Sequence, residues 1–318
     1  MSKLVSVVVP NYNCAPYLDK CLEHIVKQTY TNFECIVCDN ASTDNSLEII
    51  NRWAEKDNRI KVLTTEVNVG GLRCYNRMFF EAKGDYIMIQ DSDDWCDLAR
   101  IEKQVAVLDK YDVGCCMANS IFCYPHSEPE YPERPGSGMA DLENEDWAPA
   151  TIMFRREILK DIPGYHLYWD RVTSYDNYFI MDIIDKYGGY YLDEYLYFVW
   201  ARPDSDHRSI DLDDKNGLRK LMSFDIYKFL KKQRLKTGTD WLKEGNIEAL
   251  KLYEQKLISD KNYLADKVRM FACIQIDNGK YKNGWSLLKQ AINMSPGHIK
   301  NYKSLLYLLR SRMKSSTS

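Results

Sequence analysis

The segment Leu4-Val5-Ser6-Val7-Val8-Val9-Pro10 begins the pattern that decides the fold, a short apolar run that is rich in β-branched residues and closed by a proline. Such a run is typical of a strand buried on both faces of a parallel sheet. Apolar residues then recur at the spacing of one helix face over 16–28, and a second apolar run follows at 33–38. The alternation continues with predicted helices at 45–56 and 71–83 and predicted strands at 60–64 and 85–90. This order predicts βαβ crossovers and an α/β fold with a mainly parallel sheet flanked by helices.

The remainder of the chain follows a different pattern. Residues 124–147 are rich in proline, glycine, acidic and aromatic residues, which predicts a long surface loop. From about residue 215 the pattern is helical to the end, and 270–294 resembles a single helix–turn–helix unit of tetratricopeptide type. We therefore expect an α/β domain over 1–214 and a basic helical region over 215–318. Between them, helices are predicted at 151–160 and 174–187 and strands at 189–193 and 195–200.

The composition is that of a globular protein, with 45% apolar and 28% charged residues among 318. The net charge of −3 hides an asymmetry, because residues 1–214 carry 21 basic and 38 acidic side chains whereas 215–318 carry 22 and 8. The basic region indicates an anionic partner. No apolar stretch approaches the ~20 residues that cross a bilayer and no signal peptide is recognised, so we expect a cytoplasmic protein. Its ten cysteines form no metal-ligand pattern and are expected to be reduced.

Polar residues follow three of the predicted strands, at the sheet edge where ligands of open parallel sheets bind. These strand ends read Pro10-Asn11-Tyr12-Asn13, Asp39-Asn40 and Asp91-Ser92-Asp93-Asp94. Neither a dinucleotide-binding glycine motif nor a P-loop follows the first strand, and no nucleic-acid partner is expected. The closely spaced carboxylates of the third strand end repel one another, and Mg²⁺ or Mn²⁺ holding a diphosphate would supply the counter-charge. The alternative is an acidic turn that caps a helix beginning near Leu98.

Taken together, these motifs resemble glycosyltransferase family 2. The segment Asp39-Asn40-Ala41-Ser42-Thr43-Asp44-Asn45-Ser46 is similar to the family's D-D-G-S-T-D-x-S, and residues 5–13 and parts of 17–34 match the family's opening. Asn68-Val69-Gly70, Gly84-Asp85-Tyr86-Ile87 and Asp91-Ser92-Asp93-Asp94 continue the series in order. The resemblance covers roughly 4–210 and implies a Rossmann-like GT-A catalytic domain. It also implies transfer of a sugar from a nucleotide diphosphate to a hydroxyl, with inversion at the anomeric carbon.

The resemblance assigns roles to residues on the nucleotide side. It implies that Pro10 and Tyr12 line the nucleobase pocket and that Asp39 accepts a hydrogen bond from the base. Two alternatives remain open from the residues themselves. Tyr12 could pack over the end of the sheet, and Asp39 could be a helix N-cap, a role that is compatible with binding the base.

The resemblance also assigns the residues of the acidic turn to contacts with the rest of the donor. We expect this donor to be a UDP-sugar. The resemblance implies that Asp91 and Ser92 contact the ribose or sugar side and that Asp93 ligates the Mn²⁺ or Mg²⁺ on the diphosphate. Asp94 is the third carboxylate of this set. His207 lies where the family often closes a short segment over the diphosphate, so it is a candidate metal or phosphate ligand, with a surface loop as the alternative.

The sequence departs from the family at three places. Asn40 and Ala41 replace the second Asp and the Gly of D-D-G-S. Cys74-Tyr75-Asn76 stands where the family often has Ala-Arg-Asn, with arginines at Arg73 and Arg77 instead. We expect Arg73 to screen the diphosphate. These departures leave the fold intact but leave the donor undetermined.

An inverting transfer requires a base that takes the proton of the acceptor hydroxyl. The family places it in a Glu-Asp pair that opens a helix, and here Tyr175 and Asp176 occupy those positions. Asp176 is therefore the candidate base, with Asp170 as the next candidate and an ordinary helix-capping role as the alternative. The aromatic residues nearby could stack on sugars or belong to the core; they are Trp147, Tyr168 and Trp169.

The expected partners are the nucleotide-sugar donor and a saccharide or lipid-linked acceptor of surface polysaccharide or glycolipid synthesis. A catalytically silent nucleotide-sugar or carbohydrate-binding module of the same fold is the alternative. Residues 298–314 combine an apolar stripe with Lys and Arg, which predicts peripheral contact with an anionic membrane, at the inner face of the plasma membrane. The competing interpretations are that the stripe packs on the preceding helices and that the positive charge only offsets the acidic region.

Overall fold

The computed structural model describes residues 2–124, 128–134, 136–143, 148–202, 212, 216–277 and 279–315. The chain divides into two compact units, Met1–Ala201 and Arg202–Ser318. The boundary predicted from the sequence, at 214, lies outside the described residues. None of the helices described is long and apolar enough to span a membrane.

One sheet organises the first unit, and within the described residues it has nine strands in the order β3-β2-β1-β4-β8-β6-β9-β5, with β7 paired to β9. β1, β2, β3 and β4 run parallel, as do β6 and β9, whereas β8 is antiparallel to both β4 and β6. This arrangement confirms the predicted α/β fold with a mainly parallel sheet. The strands are β1 Val5–Asn11, β2 Phe33–Asp39, β3 Ile60–Thr64, β4 Tyr86–Ile89, β5 Trp95–Cys96, β6 Cys115–Cys123, β7 Gly138–Ala140, β8 Met153–Arg155 and β9 Gly189–Trp200.

Helices cover the sheet because its central strands are apolar on both faces. Val5, Val7 and Val9 of β1 pack with Leu18 and Leu22 in one core cluster, while the intervening residues of β1 are also fully buried. Burial on both faces explains the uninterrupted apolar run at the start of the sequence. The helices are α1 Ala15–Val26, α2 Ser46–Lys56, α3 Gly71–Glu81, α4 Arg100–Lys110 and α5 Tyr175–Tyr187, with 3-10 turns at Pro149–Thr151, Arg156–Lys160 and Leu167–Trp169.

The second unit is helical, as predicted, and has its own core. Val268 and Ala272 of one helix meet Leu288 and Ala291 of the next, and Leu308 of the last helix joins them. The helices are α6 Gly217–Thr237, α7 Ile247–Ser259, α8 Lys261–Asp277, α9 Tyr281–Met294 and α10 Ile299–Ser315.

Two predictions between 150 and 200 are wrong. The helix predicted at 151–160 is instead β8 between two 3-10 turns, because Met153 and Phe154 pair with β4 on one side and with β6 on the other. Such pairing outweighs a short helical pattern. The two strands predicted at 189–193 and 195–200 form one strand, β9, whose register against β6 shifts at Ala118 and Asn119.

Gly84 allows a close approach between the start of β4 and β1. A Cβ atom at Gly84 would lie 2.6 Å from the backbone nitrogen of Ser6 and 2.8 Å from the carbonyl oxygen of Leu4. We predict that Gly84→Ala lowers the free energy of unfolding by about 2–3 kcal/mol, because backbone atoms in a core sheet cannot move away cheaply. Urea unfolding checks this. Gly136→Ala is the matched control, since among the described residues no atom other than those of its chain neighbours lies within 4 Å of the added Cβ; equal effects in the two variants would contradict the prediction.

Candidate functional site

The residues predicted to bind the nucleotide lie at the carboxyl ends of three neighbouring strands, at one edge of the sheet. β2, β1 and β4 lie side by side, and the Asn40 backbone N–H donates to the Asn11 carbonyl at 2.8 Å, which joins the ends of the first two. β4 ends at Ile89, so the acidic turn that begins at Asp91 follows at the same edge. This is where open α/β sheets bind ligands.

Asp39 is buried and belongs to a hydrogen-bond network that shapes the loop after β2. Its Oδ1 accepts from Asn11 Nδ2 at 2.8 Å and from Ser42 Oγ at 2.6 Å, and its Oδ2 accepts from the Ser42 backbone N–H at 3.1 Å. Helix α2 begins only at Ser46, whose backbone N–H donates to Asp44 Oδ1. Asp39 is therefore not the N-cap of this helix, and Asp44 provides the local hydrogen bond.

The residues that follow β1 lie beside this network. Tyr12 is 44% exposed, so a large part of its surface is accessible to solvent. Pro10 is half-buried and lies in register with Cys38 of β2. Ala41 has φ +59°, a left-handed backbone that glycine adopts more easily and that agrees with the glycine expected there from the family pattern.

Two tyrosines hold the side chain of Asp91. Tyr75 OH, on α3, donates to Asp91 Oδ1 at 2.5 Å, and Tyr197 OH, on β9, lies 3.3 Å from Asp91 Oδ2 and accepts from the Asp91 backbone N–H at 3.1 Å. Neither tyrosine was among the predicted site residues. Tyr75 stands in the segment that departs from Ala-Arg-Asn, which is the one signal the sequence offers for it, and we find no such signal for Tyr197.

The remaining carboxylates of the turn differ in burial. Asp94 is buried and its Oδ1 accepts from the Trp200 backbone N–H at 2.7 Å, whereas Asp93 is half-buried; Ser92, between Asp91 and Asp93, is buried. Burial, followed by repulsion from Asp93 and Asp91, raises the pKa of Asp94 to about 8. The turn does not cap α4, because Asp97 Oδ1 accepts the Ala99 backbone N–H next to that helix.

These carboxylates fit a cation that is shared with a ligand. Within the described ranges no group of three His, Cys, Asp or Glu side chains is placed to hold a metal ion, and His207 lies outside those ranges. Asp93 and Asp94 together offer hard carboxyl oxygens at adjacent positions. Mg²⁺ and Mn²⁺ sites of this kind use one or two carboxylates and take further oxygens from a bound diphosphate.

Asp176 lies in the first turn of α5, on the same side of the molecule as the acidic turn. Its Oδ1 accepts from the Asn177 backbone N–H at 2.8 Å. The buried ring of Tyr165 links the two acidic groups, because burial raises the pKa of Tyr165 and the charges of Tyr175, Asp176 and Asp91 raise it further. Tyr165 also contacts Tyr75 edge-on at 5.4 Å between ring centroids. Both carboxylates are thus within electrostatic reach of one ring.

Two arginine contacts fasten the loop before α5 to the beginning of α3. Arg73 Nε donates to Asp170 Oδ2 at 2.8 Å, and Arg171 donates from its guanidinium to the carbonyl and side-chain oxygens of Asn68. Asn40 Nδ2 in turn donates to Asn68 Oδ1 at 3.2 Å. The sequence did not indicate Arg171 or Asn68 as site residues, and the role of Arg73 toward a diphosphate stays a prediction.

The aromatic candidates separate by burial. Trp169 is fully buried and contacts Tyr168 and Tyr178, so it belongs to the core. Trp147 lies outside the described residues. A cavity of about 570 Å³ is lined by residues such as Lys3, Asp85 and Arg156, and it therefore lies at the amino ends of β1 and β4, away from the acidic turn.

Comparison with known proteins agrees with this geometry. The family model for glycosyl transferase family 2 matches residues 6–166, just over half of the chain. The chain belongs to glycosyltransferase family 2. The family that the motifs predicted is thereby confirmed.

Family relatives from several bacteria share part of their length with the chain. Glycosyltransferase GlyG of Streptococcus pneumoniae is 44% identical over 119 residues, which are 37% of this chain and 40% of GlyG. The putative glycosyltransferase EpsE of Bacillus subtilis is 33% identical over 208 residues, which are 64% of this chain and 74% of EpsE. The chain thus spans less than half of GlyG and about three quarters of EpsE.

Solved glycosyltransferase structures share the fold over nearly the whole chain. S. aureus TarS 1-349 in complex with UDP-GlcNAc superposes with a TM-score of 0.60 at 18% identity, covering 98% of this chain and 92% of TarS. The mannosyltransferase PcManGT from Pyrobaculum calidifontis, in complex with GDP-Man and Mn2+, has a TM-score of 0.55 at 17% identity and covers 99% and 87%. The predicted GT-A fold is confirmed.

The raised pKa of Asp94 predicts a cost in stability that depends on pH. The folded protein holds the Asp94 proton up to about pH 8, whereas the unfolded chain releases it near pH 4, so the wild type loses stability as the pH rises between these values. We predict that Asp94→Asn, which keeps the oxygen facing Trp200, raises the free energy of unfolding at pH 8.5 by on the order of 1–3 kcal/mol and has little effect at pH 4.5.

Urea unfolding in EDTA at the two pH values measures this difference. Asp97→Asn is the control, because asparagine also supplies the oxygen that accepts from Ala99, and we expect no pH-dependent gain from it. A gain for Asp94→Asn that is the same at both pH values would contradict the assignment of the buried negative charge.

Proposed function

We propose that this chain is a metal-dependent, inverting glycosyltransferase that moves a sugar from a UDP-linked donor to a hydroxyl of a saccharide or lipid-linked acceptor. The observation that carries the proposal is the position of Asp39 and the Asp91–Asp94 turn at one edge of the sheet, with the start of α5 joined to Asp91 through the ring contacts of Tyr175, Tyr165 and Tyr75. The UDP-GlcNAc bound to TarS favours a uridine donor, and the Mn2+ in PcManGT favours a divalent cation. Relatives named chondroitin synthase and hyaluronan synthase favour polysaccharide synthesis.

The loops after β1 and β2 would bind the nucleoside. The exposed ring of Tyr12 would pack on the base, with Pro10 beside it, and Asp39 would accept a base N–H. Asp39 is already held by Asn11 and Ser42, so its carboxylate needs no reorganisation when the base arrives.

The acidic turn would bind the remainder of the donor. Asp91, fixed by its two tyrosines, and Ser92 would lie against the ribose or sugar, while Asp93 and Asp94 would hold Mn²⁺ or Mg²⁺. When bound, the cation stabilises the negative charge that develops on the leaving diphosphate. Arg73 and His207 are the further candidates for contact with the phosphates.

Asp176 would remove the proton of the acceptor hydroxyl. Its place in the first turn of α5 favours the ionised carboxylate through the helix dipole, so it is ready to accept a proton. The loop before α5, held by the Arg73–Asp170 and Arg171–Asn68 contacts, would position the acceptor side relative to the donor side.

Turnover of nucleotide sugars tests the proposal. In the presence of Mn²⁺ we expect release of UDP from one of a panel of UDP-sugars, with GDP-mannose as the comparison donor. This release should stop when EDTA removes the cation.

Asp93→Ala should abolish this turnover and leave thermal unfolding nearly unchanged, because Asp93 is half-buried at the end of a strand and outside the core. Binding of nucleotide sugar without release of nucleotide under every condition would favour the silent binding module.

Asp176→Asn separates binding from catalysis. We predict that kcat falls by on the order of 10²–10⁴ while UDP affinity, measured by calorimetry, stays within about twofold, because only the base is lost. Asp185→Asn, further along the same helix, is the matched control and should keep the wild-type kcat. An unchanged kcat in Asp176→Asn would contradict the assignment, and a loss in Asp170→Asn would then move the base there.

We also propose that α10 contacts an anionic membrane surface. The helix packs on α9 through one face, where Leu308 is buried and the buried Asn301 Nδ2 donates to the Ala291 carbonyl. Its other face exposes apolar side chains, namely Ile299, Tyr302, Leu306 and Leu309. Packing therefore uses one stripe and leaves a second one uncovered in this unit.

Charge complementarity supports an anionic membrane as the partner of this second stripe. Lys303 and Arg310 flank it and form no ion pair with any side chain in the described ranges, and the whole region 215–318 carries 22 basic and 8 acidic residues. A basic rim around an apolar helix face is typical of helices that lie at an anionic interface. Each such cation near the surface contributes up to ~1 kcal/mol.

Co-sedimentation with vesicles measures this contact. We predict that the protein binds phosphatidylglycerol-containing vesicles at low salt and releases them at high salt. It should not bind vesicles made of phosphatidylcholine alone. The triple variant Ile299→Ser, Leu306→Ser, Leu309→Ser should lose at least tenfold in affinity. Leu252→Ser, at another exposed leucine, should not change it. Binding that is absent, or that the triple variant retains in full, would exclude this face as the membrane contact.

A further inference from the structure

Arg100 is placed where a positive charge is unfavourable. It is fully buried, and it is the first residue of α4, where the helix dipole disfavours a cation. Buried guanidinium groups are rare unless a carboxylate accompanies them. No role follows for Arg100 from the family motifs or from the proposed reaction.

The hydrogen bonds of Arg100 end on neutral groups, namely four oxygens and the thiol of Cys96, whose pKa burial raises to about 11. Its guanidinium donates to the side-chain oxygens of Gln104 at 3.0 Å and Gln90 at 3.1 Å, and to the carbonyl oxygens of Ile89 at 3.1 Å and Ala150 at 3.2 Å. Throughout the part of the chain that the structure describes, no carboxylate forms an ion pair with it. The bonds satisfy the donors but leave the charge unbalanced.

Arg100 is joined to the first carboxylate of the acidic turn, Asp91, through two single residues. Gln90, which accepts from Arg100, donates to the Asp91 carbonyl at 3.1 Å. Tyr197, whose ring centroid lies 5.0 Å from the guanidinium carbon, hydrogen-bonds to Asp91 with its hydroxyl. A buried cation and the carboxyl groups of the acidic turn therefore lie on the two sides of the same pair of residues.

We propose that Arg100 is the resident counter-charge of the Asp91–Asp94 turn, and this inference rests on the proposed metal-dependent function. Its positive charge balances the carboxylates when no cation is bound and holds Asp91 in place through Gln90 and Tyr197. The same charge weakens the attraction of the turn for a free divalent cation. Tight binding of the cation then requires the negative charge of a nucleotide diphosphate, which makes Arg100 a positioning residue that couples the metal to the donor.

Titration with Mn²⁺, with and without UDP or GDP, tests this role at fixed pH. We expect the wild type to bind Mn²⁺ at least tenfold more tightly with nucleotide than without it. Arg100→Met should tighten nucleotide-free Mn²⁺ binding by about tenfold, because the site becomes more negative. Arg100→Lys should restore the wild-type value, since it keeps the charge and loses the forked hydrogen bonds.

Arg155→Met is the matched control. Arg155 also donates only to carbonyl oxygens, those of Val113, Leu108 and Tyr111, and also lies over a tyrosine ring, yet it is at the amino edge of the sheet. Its loss should lower thermal stability without changing Mn²⁺ affinity. If Arg100→Met does not fold, Arg100→Gln removes the charge and keeps a donor for Gln90.

The outcomes separate the two proposals. A wild type that binds Mn²⁺ neither alone nor with nucleotide would overturn both the metal-dependent function and this inference. The role of Arg100 alone would be overturned by a different result. In that case the wild type binds Mn²⁺ more tightly with nucleotide, as expected, but the folded Arg100→Met variant binds Mn²⁺ without nucleotide no more tightly than the wild type does.

Discussion

Negative charge buried at the carboxyl edge of the sheet is the constraint on which the site depends. Asp39 and Asp94 are almost inaccessible to water, and Asp91 lies between two tyrosine hydroxyls. Buried carboxylates are tolerated only when hydrogen bonds and opposite charges compensate them. The elements around this edge therefore supply donors: α3 contributes Tyr75, and β9 contributes Tyr197 and the backbone N–H of Trp200.

This requirement explains why distant parts of the chain converge on the acidic turn. β9 is 12 residues long and reaches from the pairing with β7 at its start to the hydrogen bond with Asp94 at its end. β8 is inserted antiparallel between β4 and β6 and thereby brings β6 and β9 next to the parallel half of the sheet. Tyr197 of β9 reaches Asp91 with its hydroxyl across these strands.

The part of the fold that could be predicted is the part with repeated, local signals. β1, β2 and β4 are buried on both faces and appear as apolar runs, and the helices between the first four strands show clear periodicity. β8 could not be predicted, because three residues carry no periodicity and its pairing partners are remote in the sequence. For the site, the motifs identified the carboxylates. The hydrogen-bond donors that hold these carboxylates could not be predicted, since Tyr197 is separated from Asp91 by 106 residues.

Residues with a strained backbone lie at the carboxyl edge of the sheet, where the buried carboxyl groups are also found. In the described ranges the non-glycine residues with positive φ are Asn13, Ala41, Arg171 and Ser174, and each lies in a loop that borders the candidate site. Left-handed backbone costs an L-residue about 1–2 kcal/mol, so four such residues mark a region that is shaped at the expense of stability.

The buried carboxyl groups and the strained backbone have a common cause. The loops after β1 and β2 turn sharply so that Asp39 can reach its donors, and the loop before α5 turns at Arg171 and Ser174 so that Arg171 can reach Asn68 and Asp176 can open a helix. In the described ranges the opposite edge has no non-glycine residue with positive φ, and its buried carboxylate, Glu34, is paired with Lys61. It is held instead by close backbone packing at Gly84 and by Arg155 bonded to carbonyl oxygens, and these contacts stabilise the sheet against which the strained edge is formed.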